Sequence, residues 1–284
     1  TRNTHSKRVI SALVVLSMLV SLMSGLSFST VSAAEAVSVD TWAELKAALE
    51  KTGDVNITVT GEIDFATTDA ATAIANCITV SSGNKTLELN GYGVNFEVSK
   101  FELMEVSGVP KSLITVSGSA SFTVKDAVGS GLINYLASSS GYLTFDAPKQ
   151  SGGLISVSGN ATVNVVDAAL NNVAIGPCIN VTGGSPKVTL DGALLTAGSA
   201  LYGWSGGFTL FINEAAASPS VKILNGTEMS CSSNSIYSEF ASGAGALYVG
   251  NLTSSIDIAH AVLYGAVQIR VADQNATKLP FVSV

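Results

Sequence analysis

A two-strand unit recurs along this chain, and its long period constrains the fold more than any other sequence feature. Residues 154–167 show it clearly: Ile155 and Val157 alternate with polar residues, a Ser-Gly pair follows, a second apolar pair comes next, and Asp167 ends the unit. In four copies an Asn or Asp falls twelve residues after the first Ile. The copies begin at Ile78, Ile114, Ile155 and Ile179, and a weaker fifth copy begins at Leu247. Self-similarity of this kind is typical of a solenoid, in which each unit packs only against its neighbours.

The residues of the unit describe two short strands and two bends. Apolar residues two apart indicate a strand with one buried face, because side chains alternate between the faces of a sheet. The Gly after the first pair can take positive φ, and the Asp or Asn after the second pair tolerates the left-handed conformation. With a third strand in the variable remainder, each unit makes one coil, so the sequence predicts an all-β fold, a parallel β-helix. A β-sandwich also has short strands and Gly-rich turns, but it does not require an acid or amide at a fixed offset.

The first 34 residues have the features of an export signal. Three basic residues precede an apolar run from Val9 to Phe28, and residues 31–34 offer small-residue cleavage sites. A transmembrane anchor is the alternative, since about 20 apolar residues can span a bilayer. The serines within the apolar run and the small residues after it favour a cleaved export signal over a transmembrane anchor. We therefore predict an extracellular or cell-surface protein whose mature part begins at residue 35 and has no membrane span.

Removal of the signal leaves an acidic chain. The full sequence has 14 Lys and Arg against 21 Asp and Glu, a net charge of −7, and without the three basic residues of the signal the charge becomes 11 − 21 = −10. Arg270 is the only arginine after position 8. Such a surface argues against nucleic acid as a partner, and against a cleft for anionic sugars, which usually need bidentate Arg.

Residues 35–54 are predicted to form an N-terminal cap that contains the one convincing helix of the chain. Thr41 can cap its first turn, Glu44 occupies the capping-box position, and Gly53 stands where the helix should end. The alternating apolar residues that follow from Val55 indicate the first strands of the coils.

This beginning resembles a known superfamily. Residues 39–49 and 55–63 are similar to the N-terminal entry of pectate-lyase-like, right-handed β-helix proteins, and of secreted, adhesin-like surface proteins with that fold. In those proteins a short amphipathic helix covers the open end of the coils, so the resemblance implies a right-handed parallel β-helix domain over residues 55–284. It specifies no activity, because the superfamily includes enzymes as well as binding and structural proteins.

The turn carboxylates give the only hypothesis of a metal site. If Asp126, Asp167 and Asp191 stack at the strand spacing of about 4.8 Å, a cation among them would relieve their repulsion. Calcium is the ion that the resemblance implies, because lyases of the superfamily bind it with carboxylates of adjacent coils. Asn90 occupies the same offset, however, and turn geometry alone explains an acid or amide there. The structural interpretation, without a cofactor, is therefore preferred.

No catalytic centre is predicted. The chain lacks the basic pair that could take a proton from a uronate, and its glycoside-hydrolase candidates, Asp64 with Asp69 or Glu102 with Glu105, are supported only by being carboxylates. His260 is the only histidine after residue 34, and it is interpreted as a turn residue and not as a member of a triad.

The three cysteines are interpreted as small core residues. Cys77 and Cys178 each precede the first Ile of a unit, where other copies have Leu or Ala, so the position accepts any compact apolar residue. A disulfide between them is not expected, because at least two units separate them and a bridge needs Cα atoms within about 7 Å. Cys231 has no evident partner in the sequence.

Two groups of residues point to glycans. Aromatic residues of the Gly- and Ser-rich stretches are candidates for stacking on sugars, namely Tyr135, Tyr142, Tyr202 and Trp204. Seven Asn-x-Thr triplets are candidate glycosylation sites, at Asn56, Asn84, Asn160, Asn180, Asn225, Asn251 and Asn275. Strand alternation alone also places the Asn and Thr of such a triplet on the outer face, which explains the pattern without glycans.

The favoured interpretation is a secreted cell-surface β-helix protein with a structural or adhesive role, without a catalytic centre, whose partners are polysaccharides or other cell-surface components. The alternative is a polysaccharide lyase or glycoside hydrolase on the same fold, and a third interpretation is a part of a larger envelope protein. No amphipathic helix or charged plug is predicted after Arg270, so either the natural chain continues beyond Val284 or another molecule docks on the last coil. For the isolated chain, end-to-end self-association through this coil is expected.

Overall fold

In the computed structural model, the chain forms a parallel β-helix with three sheets, A, B and C. Each coil runs from sheet A to sheet B and then to sheet C, and the strands within each sheet pair in parallel. The predicted parallel β-helix is therefore confirmed. The structure describes residues 33–100, 105–106, 109–139, 152–172, 176–198, 208–232, 245–251, 253–269 and 281–283.

Within the residues that the structure describes, sheets A, B and C contain nine, seven and seven strands. Sheet A consists of Glu35–Val39, Val55–Val59, Asn84–Glu88, Ser121–Lys125, Thr162–Val166, Lys187–Asp191, Ser220–Leu224, Ser255–Ala259 and Phe281–Ser283. Sheet B consists of Ile63–Thr67, Gly93–Lys100, Leu132–Ser139, Ala169–Asn172, Leu194–Gly198, Glu228–Ser232 and Val262–Tyr264. Sheet C consists of Ile78–Val80, Ile114–Val116, Ile155–Val157, Ile179–Val181, Phe208–Ile212, Gly245–Val249 and Ala266–Ile269. A short antiparallel pair, Glu105–Val106 with Val109–Pro110, lies in the connection between sheets B and C.

The isoleucines that open the four clear units form one inward column of sheet C. Ile114 pairs with Ile78 and with Ile155, and Ile155 pairs in turn with Ile179. All four are buried in the main hydrophobic core. The prediction that they point inward at equivalent positions is confirmed.

Helix α1 (Trp42–Glu50) packs against the first coils. The hydroxyl of Thr41 accepts a hydrogen bond from the Glu44 N–H at 3.4 Å, and the Glu44 carboxylate accepts one from the N–H of Asp40 at 3.2 Å. The predicted cap over residues 35–54 needs one correction, because Glu35–Val39 is a strand of sheet A that pairs with Val55–Val59. Residues 35–39 pair one by one with Val55–Val59, and the backbone hydrogen bonds of this parallel pair stabilise a strand before the helix.

A stack of aromatic rings joins α1 to the coils. The ring centroid of Trp42 lies 4.9 Å from that of Phe96, which is stacked on Phe65 at 4.7 Å. Phe96 also contacts the ring of Tyr135 edge-on at 6.0 Å. A second helix, α2 (Ala70–Ala75), begins at the cap residue Asp69 and is an addition to the predicted elements.

The long connections concentrate at one corner of the coils. In six coils, six to fifteen residues separate the strand of sheet B from that of sheet C, whereas two to six residues lead from sheet A to sheet B. Insertions on one edge of a solenoid are common where a binding surface has developed. Tyr142, Tyr202 and Trp204 belong to these connections but lie outside the described residues, so their role as glycan contacts stays a prediction.

Among the described residues, no helix is long and apolar enough to cross a membrane. The predicted signal, residues 1–34, falls almost entirely outside the described part of the chain and stays a prediction.

Candidate functional site

Asp126 shows the role that a turn carboxylate has in this fold. Only 2 % of the surface of Asp126 is exposed to solvent. Its carboxylate accepts hydrogen bonds from the N–H groups of Gly91 at 2.7 Å and Gly131 at 2.6 Å. Burial alone would raise the pKa of this carboxyl, but four backbone N–H donors, led by those of Gly131 and Gly91, outweigh it and hold the pKa below its usual value. The charge is therefore satisfied by the backbone, and it links two adjacent coils.

Replacing Asp126 by Ala should lower the free energy of unfolding by about 2–4 kcal/mol, because the backbone N–H groups around it, above all those of Gly91 and Gly131, lose an ionised acceptor. Urea denaturation at neutral pH measures this loss. Since the pKa of Asp126 is lower in the folded chain than in the unfolded chain, its stabilisation is fully present above the unfolded value of about 3.9 and is lost as the pH falls through the folded value. The difference between wild type and variant should therefore shrink on acidification. The exposed Asp257 supplies the control, since Asp257→Ala should change stability by less than about 0.5 kcal/mol, and equal losses in both variants would contradict this account.

The three carboxylates of the metal hypothesis do not form one column, which corrects the predicted stacking. Lys125 pairs with Val166, so Asp126 and Asp167 occupy equivalent turn positions. Val166 pairs with Asp191, which places Asp191 at the end of its strand, one residue before that turn position.

The different position of Asp191 results from the length of the turn that precedes its strand. Four residues, 158–161, lead into the strand before Asp167, but five residues, 182–186, lead into the strand that ends at Asp191. An acid that lies twelve residues after the leading Ile is therefore one register position earlier in the coil with the longer turn. In the resulting arrangement the Asp191 carboxylate accepts a hydrogen bond from Asn225 Nδ2 at 2.8 Å.

Within the described residues, no group of three or more His, Cys, Asp or Glu side chains is placed to hold a metal ion. Two further carboxylates act as Asp126 does, because the Ala127 N–H donates to Glu88 at 2.9 Å and the Gly93 N–H donates to Glu62 at 2.9 Å. These acids bind backbone donors of the next coil.

Tyr135 is a core residue, which corrects its assignment as a glycan contact. It lies in the strand Leu132–Ser139, whose alternation directs Ile133 and Tyr135 inward. Burial raises the pKa of its hydroxyl above the ordinary value. The Ser-, Gly- and aromatic-rich composition of residues 129–153 predicts a loop with a short strand pair, but Leu132–Ser139 is a strand of sheet B that pairs in parallel with both of its neighbours.

The sequence interpretation missed an aromatic cluster on sheet C. The rings of Phe211 and Tyr248 stack at 4.4 Å with an angle of 3°, and Phe208 lies 5.3 Å from Tyr248. These three buried residues form a cluster separate from the main core. Phe211 and Tyr248 pair in register, and each stands at the position after the leading apolar residue of its unit, which is the signal that could have identified them.

The glycosylation candidates differ in accessibility. Asn180 is buried, with its side-chain nitrogen 3.5 Å from the Gly152 carbonyl oxygen, so in the folded chain it cannot carry a glycan. Asn84 is exposed, but its side-chain nitrogen donates to Asp54 at 3.1 Å. Asn225 is engaged by Asp191, as described above. Asn251 Nδ2 donates to a backbone carbonyl oxygen at 3.2 Å, Asn56 and Asn160 are exposed, and Asn275 lies outside the described residues.

The cysteines have the properties of core residues. Burial raises the pKa of the Cys178 thiol to about 12 and those of Cys77 and Cys231 to about 11. Thiols with such values remain protonated at neutral pH and are poor nucleophiles. Two other units have Leu in place of Cys before the leading isoleucine. These residues, Leu113 and Leu154, are also buried in the core.

Among the remaining catalytic candidates, Asp64 and Asp69 have structural partners, and His260 is a turn residue. His260 is exposed and adopts a left-handed conformation with φ of 56°, as expected for a turn residue. Asp64 accepts a hydrogen bond from Asn95 Nδ2 at 2.7 Å, and Asp69 caps α2. Glu102 and Glu105 lie outside the residues whose side chains the structure describes.

The outer surface of sheet A is the candidate functional site. Side chains that point away from the core form three rows in unbroken register across six successive strands, and we call the first two rows the polar face. The first row is Asn84, Ser121, Thr162, Lys187, Ser220 and Ser255. The second row is Thr86, Thr123, Asn164, Thr189, Lys222 and Asp257. The third row consists of charged and apolar residues and is not part of the polar face: Glu88, Lys125, Val166, Asp191, Leu224 and Ala259.

Hydroxyl and amide groups dominate the polar face. Nine of its twelve residues are Ser, Thr or Asn, and the charged members are Lys187, Lys222 and Asp257. Strand geometry places the groups about 4.8 Å apart between coils and about 6.6 Å apart along a strand. Asn164 Nδ2 donates to the hydroxyl of Thr123 at 3.1 Å, which orients one pair of the second row. The surface can therefore donate and accept hydrogen bonds at regular intervals.

No family model, curated protein or solved structure matches this chain.

Proposed function

We propose that this chain is a secreted, cell-surface β-helix protein with an adhesive or structural role, and that its polar face binds a neutral, hydroxyl-rich polysaccharide. The observation that carries the proposal is the unbroken register of the two polar rows over six strands. Secretion is proposed from the leader-like composition of the first 34 residues.

The repetition of the rows favours a repetitive ligand. A single hydroxyl contact contributes little, because each replaces a hydrogen bond to water. A polymer that repeats the same contacts along the coils makes every further contact at a high effective concentration, so weak contacts add up to useful avidity.

The charge distribution favours a neutral ligand. The polar face has two lysines and one aspartate, and the chain after residue 34 carries a net charge of −10, from 11 basic and 21 acidic residues. Anionic polysaccharides would meet overall repulsion with little local guanidinium to offset it. The engagement of Asp126, Glu88 and Glu62 by backbone donors also supports a role without catalysis.

The proposal predicts binding without turnover. The chain, expressed in full and purified in the form that the cell releases, should be retained by at least one insoluble neutral polysaccharide such as cellulose or chitin. The double variant Thr123→Val and Thr189→Val, which keeps the shape of both side chains but removes two hydroxyls, should weaken retention at least fivefold. We expect no product release from pectate, polygalacturonate or xylan, with or without calcium.

The matched control is Thr115→Val on the outer surface of sheet C, which removes a half-buried hydroxyl elsewhere and should leave binding unchanged. Absence of retention by every neutral polysaccharide, or equal loss in the control, would refute a binding role of the polar face. Product release that is abolished by one carboxylate substitution would establish the lyase or hydrolase alternative instead.

A further inference from the structure

The fold itself explains four of the Asn-x-Thr triplets. Asn225 has a left-handed backbone with φ of 48°, and its side chain is hydrogen-bonded to a carboxylate. Asn251 accepts a hydrogen bond at 2.7 Å from the backbone N–H two residues further on, which forms an Asx turn. The side chain of Asn84 donates to a carboxylate of the preceding coil, and Asn180 is buried. Each of these asparagines therefore has a role in folding that requires no glycan.

A fifth triplet asparagine, Asn56, is explained by its position in a strand. It is exposed, and it pairs with Ala36 on one side and with Thr86 on the other. Strand alternation places a polar residue on the outer side there. The acceptor sites of N-glycosylation lie in surface loops, so the strand position does not favour a glycan at Asn56.

Asn160 is the described triplet asparagine whose amide the fold does not explain. It lies in a turn where Gly159 supplies the positive φ of 69°, and its own backbone is not left-handed. Its side chain makes no hydrogen bond to the other described residues. The same turn position is occupied by Ser119 one coil earlier and by Ser185 one coil later. The turn therefore does not require an amide.

The surroundings of Asn160 fit a bulky modification. Asn160 is exposed, and Thr162 lies on the outer side of sheet A at the first position of its strand. The equivalent residues of the adjacent coils, Ser119 and Ser185, have small side chains that leave space above the turn. An Asn-x-Thr triplet in a surface turn is the acceptor pattern of N-glycosylation. We propose that Asn160 carries an N-linked glycan.

The modification is a group transfer from a lipid-linked oligosaccharide diphosphate. The Nδ2 atom of Asn160 forms a bond to the anomeric carbon of the first sugar, and the bond between that carbon and a diphosphate oxygen breaks. The amide loses one proton, the lipid diphosphate leaves with the electron pair, and nothing is oxidised or reduced. The inference rests on the export of the chain in the proposed function, because such acceptors occur in secreted proteins. It does not depend on polysaccharide binding, since Asn160 lies outside the polar face.

The test is mass spectrometry of the chain that the producing cells release. Its peptides should show a glycan on Asn160 and none on Asn180 or Asn225. Asn160→Gln should remove the mass of one glycan from the intact chain. Thr162→Val should cause the same loss although the asparagine is still present, whereas Thr162→Ser should keep the glycan, because the acceptor pattern requires a hydroxyl two residues after the asparagine.

A matched variant tests the turn position itself. The double variant Ser119→Asn and Ser121→Thr creates a triplet at the same turn position one coil earlier and should add a second glycan. An unmodified Asn160 in the released chain would overturn the inference and leave export intact. A chain that stays inside the cell with residues 1–34 attached would refute export and this inference together. Equal glycan occupancy at Asn225, or no second glycan in the double variant, would show that the turn position does not select the site and would overturn the inference as well.

Discussion

Replacing Ile155 by Asp is expected to abolish cooperative folding. Ile155 is fully buried and pairs with Ile114 on one side and Ile179 on the other, so a carboxylate there would lie in the middle of the sheet C column. An unpaired buried charge and the lost apolar contact together cost about 5 kcal/mol or more. That loss is comparable with the whole stability of an ordinary domain, about 5–15 kcal/mol. Thermal unfolding followed by circular dichroism should show no transition, or one at a greatly lowered temperature.

Two controls separate the buried charge from other effects at this coil. Thr162→Asp introduces the same charge at an outward position of the next strand and should cost less than about 1 kcal/mol. Ile155→Val keeps the site apolar and should cost about 0.5–1.5 kcal/mol. A folded Ile155→Asp variant with unchanged stability would show that this column does not form the core.

The sheet C column was predictable because its physical cause is local. Alternation of Ile155 and Val157 with polar residues fixes which side chains turn inward, and the repeat of that alternation fixes which residues are neighbours in space. The parallel pairing of Ile155 with Ile114 could be predicted from this repeat alone, even though the two residues are 41 positions apart in the sequence. The weaker fifth unit was recognisable for the same reason, and Leu247 does stand in this column, beside Leu210.

The position of the turn acids was less predictable, because it depends on turn length. Asp126 and Asp167 share a position, but one extra residue in the turn before Asp191 displaces that acid into the strand. Sequence spacing reports the chain distance between two residues, whereas the register is set by backbone pairing. An offset that is constant in sequence therefore does not ensure a column in space.

Residues outside the repeat were the hardest to place. Tyr135 stands just before the Ser- and Gly-rich residues 138–141, and its strand pairs with two neighbours and directs it inward. The polar face was visible only in part, because a row such as Thr86, Thr123, Asn164 and Thr189 becomes continuous only when the register is known. Its significance for binding depends on this three-dimensional continuity, which no single unit displays.

Replacing Gly184 by Ala should cause a loss of stability far beyond that of an ordinary surface substitution. Gly184 adopts a left-handed conformation with φ of 73°, which costs a residue with a side chain about 1–2 kcal/mol. An added Cβ would also overlap the carbonyl oxygen of Gly159 in the preceding coil. The same contact recurs one coil earlier, where a Cβ on Gly159 would lie 2.9 Å from the Gly118 oxygen. Strain and displacement of the stacked turns together should lower the free energy of unfolding by about 3–5 kcal/mol.

Two other glycines separate these contributions. Gly226 also has positive φ, 82°, but an added Cβ there would meet nothing within 4 Å, so Gly226→Ala should lose only the conformational part, about 1–2 kcal/mol. Gly183, the neighbour of Gly184, has neither a positive φ nor an atom within 4 Å of the added Cβ, so Gly183→Ala should be neutral or stabilise by up to about 1 kcal/mol. Urea denaturation of the three variants should therefore give losses in the order Gly184, Gly226, Gly183. If Gly184→Ala loses no more than Gly226→Ala, the close stacking of successive turns does not contribute to holding the coils in register.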